Sequence, residues 1–267
     1  MRFDGRAALI TGAGSGIGAA TAIGYARRGG RVALADLDQA AARQIAEEIR
    51  SSGGDAVVIG VDLVDPEQVR AMVDQAHAAL GRLDFLHNNG FGLPPGLQDR
   101  RVSPIEALDD GVWTHTLAVG LTAVVQAIKR AAPLMRAGGG GAIVNTASVA
   151  GLSGDRGSVS YNTVKAGLIN LTRVAALELA QDNIRANAIC PGAIDTPMLR
   201  QGMAARNMEP SHFAALPLGR AGTAQEAANV ALFLASDLAS YVTGAAIPVD
   251  GGLSSRMGML VSSAARS

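Results

Sequence analysis

Ala7-Ala8-Leu9-Ile10-Thr11-Gly12-Ala13-Gly14-Ser15-Gly16-Ile17-Gly18 passes from an unbroken apolar run straight into a glycine-rich turn. A short apolar run of this kind fits a strand of a parallel sheet, buried on both faces. Gly12, Gly16 and Gly18 remove side chains where backbone must come close to a ligand. The helix expected from Ile17 to Arg28 begins with free N–H groups, which suit a pyrophosphate. A glycine turn alone is a weak signal. A strand, this turn, a helix and a second strand ending in an acid form a stronger one. Arg31-Val32-Ala33-Leu34-Ala35-Asp36 supplies that second strand. A carboxylate at its end accepts from adenosine ribose hydroxyls and repels a 2′-phosphate. The alternative is an acid at a helix start, and Asp38 fills that role equally well for a helix over Asp38 to Arg50.

The next informative stretch is Ser148 to Lys165, SVAGLSGDRGSVSYNTVK. Tyr161 and Lys165 are four apart, so a helix from about Ser158 puts both on one face, a turn apart. An ammonium so close favours the phenolate and lowers a phenol's pKa from its usual value of about 10. Tyr161 is then suited to giving and taking a proton near neutral pH. The run Ala142-Ile143-Val144 reads as a strand, and Ser148 lies past its carboxyl end, where open α/β sheets bind ligands. A Tyr-x-x-x-Lys pair by itself is commonly an ordinary helix pair; its company makes it informative.

Together these motifs resemble those of the classical short-chain dehydrogenase/reductase family. Thr11 to Gly18 matches TGxxxGxG, and Asn88-Asn89-Gly90-Phe91 partly matches NNAG. Ser148 stands thirteen residues before the Tyr of YxxxK, and Pro191 to Thr196 matches PGxxxT. The resemblance covers about residues 4–252 and implies one doubly wound Rossmann-type α/β domain over 1–267, with about seven mostly parallel strands flanked by helices. It also implies reversible hydride transfer between NAD and a secondary alcohol or ketone. Tyr161 would exchange the hydroxyl proton, Ser148 bond the carbonyl oxygen, and Lys165 hold the nicotinamide ribose. Cofactor contacts would come from Gly12, Ser15, Gly16, Ile17, Gly18, Asp36, Leu37, Asp62, Leu63, Asn89, Tyr161, Lys165, Pro191, Gly192, Ile194 and Thr196. Among these, Asp62 would hold the adenine amino group with the following N–H on the ring. The Ile194 backbone and the Thr196 hydroxyl would face the nicotinamide carboxamide. Leu37 and Ser15 stand where NADP-linked members often carry basic residues, which favours NAD.

Besides Gly90, which replaces the Ala of NNAG, two positions depart from the family pattern. Phe91 takes the place of the last Gly of NNAG and is expected to narrow the site or contact substrate. Gly120 stands where the family usually has an Asn that holds a water linking the lysine to solvent. Glycine there costs roughly 1 kcal/mol of helix stability against Ala. It is expected to leave open space for a water, held by a carbonyl exposed at a helix kink.

The rest of the chain supplies the frame. Further strands are expected at Ala56–Val61, Phe85–His87, Ile184–Cys190 and Ala245–Val249. Asp65-Pro66 opens a helix to about Leu80, and Thr223 and Glu226 form a capping box for one reaching about Ala235. A long helix is expected from about Pro104 to Arg136 and another from Ser158 to Gln181. Both are apolar on more than one side and suit the family's usual dimer or tetramer, the alternative being a deep monomer core. The Met-rich segment 197–218 reads as a mobile substrate lid, the alternative being an ordinary surface helix pair packed on the core, and 253–267 reads as a tail.

The 267 residues balance 23 basic against 23 acidic side chains, which gives no field for nucleic acid or an anionic membrane. The single Cys190 excludes an internal disulfide and suggests a reducing, cytoplasmic setting. No unbroken run of 18 apolar residues and no apolar leader is expected. The histidines at 77, 87, 115 and 212 lack metal-ligand spacing. Two rival readings stay open. One is a 3-oxoacyl thioester reductase of acyl-carrier-protein type, normally NADPH-linked, against which Asp36 and Leu37 argue. The other is a non-catalytic dinucleotide-binding subunit, kept alive by Gly120 and Phe91.

Overall fold

The computed structural model describes residues 1–93, 96, 103–204 and 209–255. Its centre is the strand β1 (Ala7–Thr11), every residue of which is buried. β2 (Arg31–Asp36) and β3 (Asp55–Gly60) add to one side of it. On the other side lie β4 (Phe85–Asn88), β5 (Gly141–Thr146), β6 (Ile184–Pro191) and β9 (Ala246–Val249). The order is β3-β2-β1-β4-β5-β6-β9, and each neighbouring pair is parallel. The winding direction reverses between β1 and β4, so the loops after these two strands part and open a crevice at the carboxyl ends.

Strand alternation sorts the core into two layers. Ala7 and Leu9 of β1, with Ala33 and Ala35 of β2, face α3 (Pro66–Leu80), α5 (Ala123–Ala137) and α6 (Val159–Leu179). Ala8 and Ile10, with Val32 and Leu34, face α1 (Gly16–Ala26), α2 (Gln39–Ser51) and α8 (Ala224–Ala235). Both faces are covered, which is why the strands read as continuous apolar runs. The helix starts follow their caps. The Asp38 carboxylate accepts from Ala40 N and Ala41 N, Asp65 caps α3 ahead of Pro66, and Thr223 and Glu226 form the capping box of α8.

The long helix differs from its expected course. Pro104 leads only into a 3-10 turn, Ile105–Ala107, and Leu108 returns to extended backbone. α4 (Asp110–Leu117) starts afresh because Asp109 accepts from Val112 N at 3.0 Å. Ala118–Thr122 is then a π-helical turn, after which α5 continues to Ala137. By length and composition Asp110–Ala137 meets the requirements of a membrane span. Val119, Ala123, Val124, Ala127, Ile128 and Ala131 of this stretch are buried in the protein core. Much of the apolar surface read from the two long helices is likewise buried within the chain, at Val164, Leu168, Ile169 and Ala175, while Val125, Val174 and Leu177 remain exposed.

A small parallel pair of β7 (Ile194–Asp195) and β8 (Gly222–Thr223) was not foreshadowed by the sequence. It brackets the expected lid, where α7 (Pro197–Ala204) and a 3-10 helix at Pro210–Ala215 are formed. Arg206 and Met208 of that segment, Pro94 and Pro95 of the loop after β4, and residues 256–267 of the tail lie outside the described residues.

A buried polar chain seats α6 on the sheet. Asn88 Nδ2 donates to Asn145 Oδ1, Asn145 Nδ2 to Thr172 Oγ1, and Thr172 Oγ1 to the Leu168 carbonyl. Thr172→Val leaves the Asn145 amide without its acceptor and is expected to cost about 1–3 kcal/mol. Urea unfolding checks this against Thr163→Val, at an exposed position of the same helix, which is expected to stay near wild type.

Candidate active site

The turn after β1 is shaped by contacts that only glycine allows. Gly12 has φ +63, and a Cβ there would sit 2.7 Å from Gly90 Cα. Gly16 has φ +54 and lies against the Thr196 methyl, 3.1 Å from where its Cβ would be. Ser15, exposed and extended, is the N-cap of α1 but makes no side-chain cap bond. The first N–H groups of α1, from Gly16, Ile17 and Gly18, are thus left uncapped by a side chain, a ready seat for an anion.

The turn is clamped from β4. Thr11 Oγ1 accepts from the backbone N of Asn89 and of Gly90, each at 2.9 Å. Asn89 Nδ2 donates to the carbonyls of Thr11 (3.1 Å) and Gly12 (3.3 Å). Its Oδ1 therefore accepts, and the donor is Thr146 Oγ1 at 3.2 Å. With the threonine proton so used, His87 Nε2 must carry the hydrogen in its 2.9 Å bond to Thr146 Oγ1. The Asn89 side chain is engaged in holding the turn, and its backbone passes alongside it.

At the end of β2, Asp36 and Asp38 divide the two roles the sequence left open. Asp38 caps α2. Asp36 turns to the glycine turn, accepting from Gly14 N at 2.8 Å and from Asp38 N at 2.9 Å. Leu37 beside it is 72% exposed. Asp62 Oδ1 accepts from Val64 N at 2.9 Å, and Leu63 packs on Gly90, where a Cβ would lie 2.6 Å from its Cδ1. An uncapped helix start, a cradle that a Cβ would fill and an acid facing the turn fit the phosphates and ribose of a dinucleotide.

Tyr161, Lys165 and Ser148 gather at the carboxyl end of β5. Lys165 is only 3% exposed, and its Nζ donates to the Thr146 carbonyl at 2.7 Å. Ser148, also buried, accepts from Ala150 N at 3.1 Å and donates to the Pro191 carbonyl at 3.5 Å. Gly151 holds its turn close on α6: a Cβ there would lie 2.5 Å from the Lys165 carbonyl carbon. Beyond Pro191, Gly192 N donates to Val249 O at 3.0 Å, and Ile194 is buried. Thr196 Oγ1 donates to the Ile194 carbonyl and accepts from Leu199 N, which opens α7. Cys190 is a buried core residue whose thiol desolvation pushes up to about 11.

Both departures from the family pattern meet here, and the space expected beside Gly120 is not open. A Cβ on Gly120 would collide with Val164 Cγ1 and lie 3.1 Å from Phe91 Cε2. Phe91 points inward, its ring 5.3 Å from that of Tyr161 at an interplanar angle of 73°. The Lys165 Nζ lies 4.8 Å from the Phe91 centroid. Sequence reasoning took the two positions separately. Their simultaneous departure, one side chain gained and one lost, was the signal that they fill one space.

The family profile described as enoyl-(acyl carrier protein) reductase matches residues 12–254. The chain belongs to the short-chain dehydrogenase/reductase family. It is 40% identical to the cis-4-hydroxycyclohexanecarboxylate dehydrogenase of Sinomonas cyclohexanicum, over 94% of this chain and 97% of that protein. It is 39% identical to the cyclohexanol dehydrogenase of Acinetobacter sp. (strain SE19), over 96% and 97%. Among solved structures, levodione reductase superposes with a TM-score of 0.90 at 33% identity, covering 96% of this chain and 100% of that one. As a short-chain dehydrogenase/reductase the chain has a dinucleotide-binding fold for NAD(P).

The His87 ring in this short-chain dehydrogenase/reductase is fully buried, and desolvation pushes its pKa down to about 3. Unfolded, it would titrate near 6.5. Below that pH the unfolded chain takes up a proton that the folded one refuses, so His87 makes stability fall as pH drops from about 6.5 towards 3. His87→Gln, which keeps a donor, is expected to show a shallower loss. Urea midpoints at pH 7 and pH 5 for both proteins measure it; parallel losses would contradict the assignment.

Proposed function

We propose that this enzyme interconverts a secondary alcohol and its ketone with NAD, and that its substrate is a carbocyclic alcohol. The observation that carries this reading is the buried Lys165 ammonium, a turn from Tyr161 on one helix and bonded to the Thr146 carbonyl two residues before the buried Ser148. NAD, when bound, takes and returns the hydride. Every other task falls to the chain. Tyr161 accepts the hydroxyl proton as the alcohol is oxidised and returns it in the reverse direction. The desolvated Lys165 ammonium favours the phenolate that must do so. Ser148 exchanges its long bond to Pro191 O for one to the substrate oxygen, holding that oxygen towards Tyr161.

The NAD preference rests on Asp36, which exchanges its bonds from Gly14 N and Asp38 N for ribose hydroxyls, and on Leu37 and Ser15, which offer no cation to a 2′-phosphate. The ring substrate is suggested by the names of the two curated relatives. Met198, Leu199 and Met203 on α7 and Phe213 after it supply an apolar cover for such a substrate in the 197–218 lid. Exposed Val125, Val174 and Leu177 on α5 and α6 support self-association to a dimer or tetramer. The acyl-carrier thioester reading is weaker, because it calls for NADPH against Asp36.

Cyclohexanol oxidation, followed as NADH absorbance, tests the chemistry. Tyr161→Phe is expected to lower kcat by roughly 10²–10⁴-fold, as for loss of a general acid–base group, and Ser148→Ala is expected to lower it sharply. A Tyr161→Phe rate equal to wild type on every alcohol oxidised would overturn the mechanism. For the cofactor, wild type is expected to show a higher kcat/KM with NAD than with NADP, and Asp36→Ala to narrow the ratio. Equal values in the unaltered protein would remove the case for NAD.

A further inference from the structure

We propose that Phe91 is a positioning residue for the Tyr161–Lys165 pair, taking the ammonium on its ring face and bracing the phenol edge-on in the space that Gly120 vacates. The inference rests on the catalytic reading of Tyr161 and Lys165 given above.

Three independent features converge on the ring. The first is its contact with charge. Lys165 Nζ stands 4.8 Å from the Phe91 centroid, inside the range in which a ring's negative face attracts a cation, and the ammonium is buried, where such attraction is strongest. The Thr146 carbonyl holds the same ammonium at 2.7 Å, so Lys165 is fixed by a hydrogen bond and by a ring face. The second is its contact with Tyr161, whose ring meets Phe91 edge to face at 5.3 Å and 73°. The third is the fit. Within the π-helical turn Ala118–Thr122, Gly120 is buried against Phe91 Cε2, Phe91 Cδ2 and Val164 Cγ1, and any side chain there would displace them.

The ring is also anchored from both neighbours. Gly90 N is tied to Thr11 Oγ1, and the Gly92 carbonyl accepts from His115 Nε2 of α4 at 3.0 Å. The helix that supplies Gly120 therefore also holds the loop that supplies Phe91. A side chain so held acts through Lys165 and Tyr161. By stabilising the ammonium beside the phenol, it favours the phenolate that alcohol oxidation needs.

The pH dependence of kcat/KM for cyclohexanol oxidation tests this. Phe91→Leu keeps an apolar side chain but removes the ring face. It is expected to lower kcat/KM at neutral pH by roughly 2- to 30-fold, the span of a cation–π contact from exposed to desolvated sites. It should also move the acid limb of the profile to higher pH. Phe91→Tyr keeps the face and is expected to leave the limb in place. Ionisable or charged groups on the elements around the pair include His87 of β4, Asp110 and His115 of α4, Arg173 and Glu178 of α6, Cys190 of β6 and Asp250 after β9. His115→Gln, which keeps a donor for Gly92, separates any contribution of His115 to the limb from that of Tyr161. If Phe91→Leu does not fold, Phe91→Met poses the same question. A lower rate with an unmoved limb in the ringless variant would reduce Phe91 to packing and overturn the proposal. Tyr161→Phe is measured alongside: if it keeps wild-type activity, the catalytic reading fails; if it is inactive and the Phe91→Leu limb stays put, only the positioning role fails.

Discussion

Thr146 is bonded at both of its polar ends, and the two halves of the site meet through it. Its hydroxyl, fed by His87 and passed on to Asn89, belongs to the chain that pins the glycine turn. Its carbonyl receives the Lys165 ammonium. A residue at the last position of β5 therefore sets the separation between the dinucleotide cradle and the proton-transfer group. Buried polar chains of this kind are strong when every member is satisfied and costly when one is removed. The turn and the lysine are thus registered to the same strand end, with no flexible loop between them.

The surrounding architecture keeps that strand end still. β5 is paired on both sides, by β4 and β6, and Asn145, the residue before Thr146, carries the amide bonds that seat α6. Alanines at 123, 127 and 131 let α5 pack closely under the same strands. Small alanines in this layer alternate with larger side chains such as Leu86, Met135 and Ile143, and geometric precision comes from hydrogen bonds and backbone proximity as well as from apolar packing.

Most of the frame was legible in the sequence. β2 falls at Arg31–Asp36 as read, because a buried parallel strand is an unbroken apolar run bounded by polar residues. α3 ends at Leu80 as read, because Asp65, Pro66 and Gly81 are local signals. The start of α4 was misread because Pro104 and Asp109 are both plausible openings and only the backbone path chooses between them. The β7–β8 pair is too short to carry a pattern. The Phe91 and Gly120 contact escaped for a different reason. Each was compared with its own expected residue, whereas the space they share is created by the fold, between a loop after β4 and a helix bend that are distant in sequence.

That shared space also constrains how the two positions can change. Restoring a side chain at 120 first drives it into Val164 and the Phe91 ring. Shrinking residue 91 first removes the half-buried ring that faces the buried ammonium. Neither single step is neutral, so positions 91 and 120 form an epistatic pair. Each residue makes the other difficult to replace, because a side chain at 120 and the ring at 91 claim the same volume.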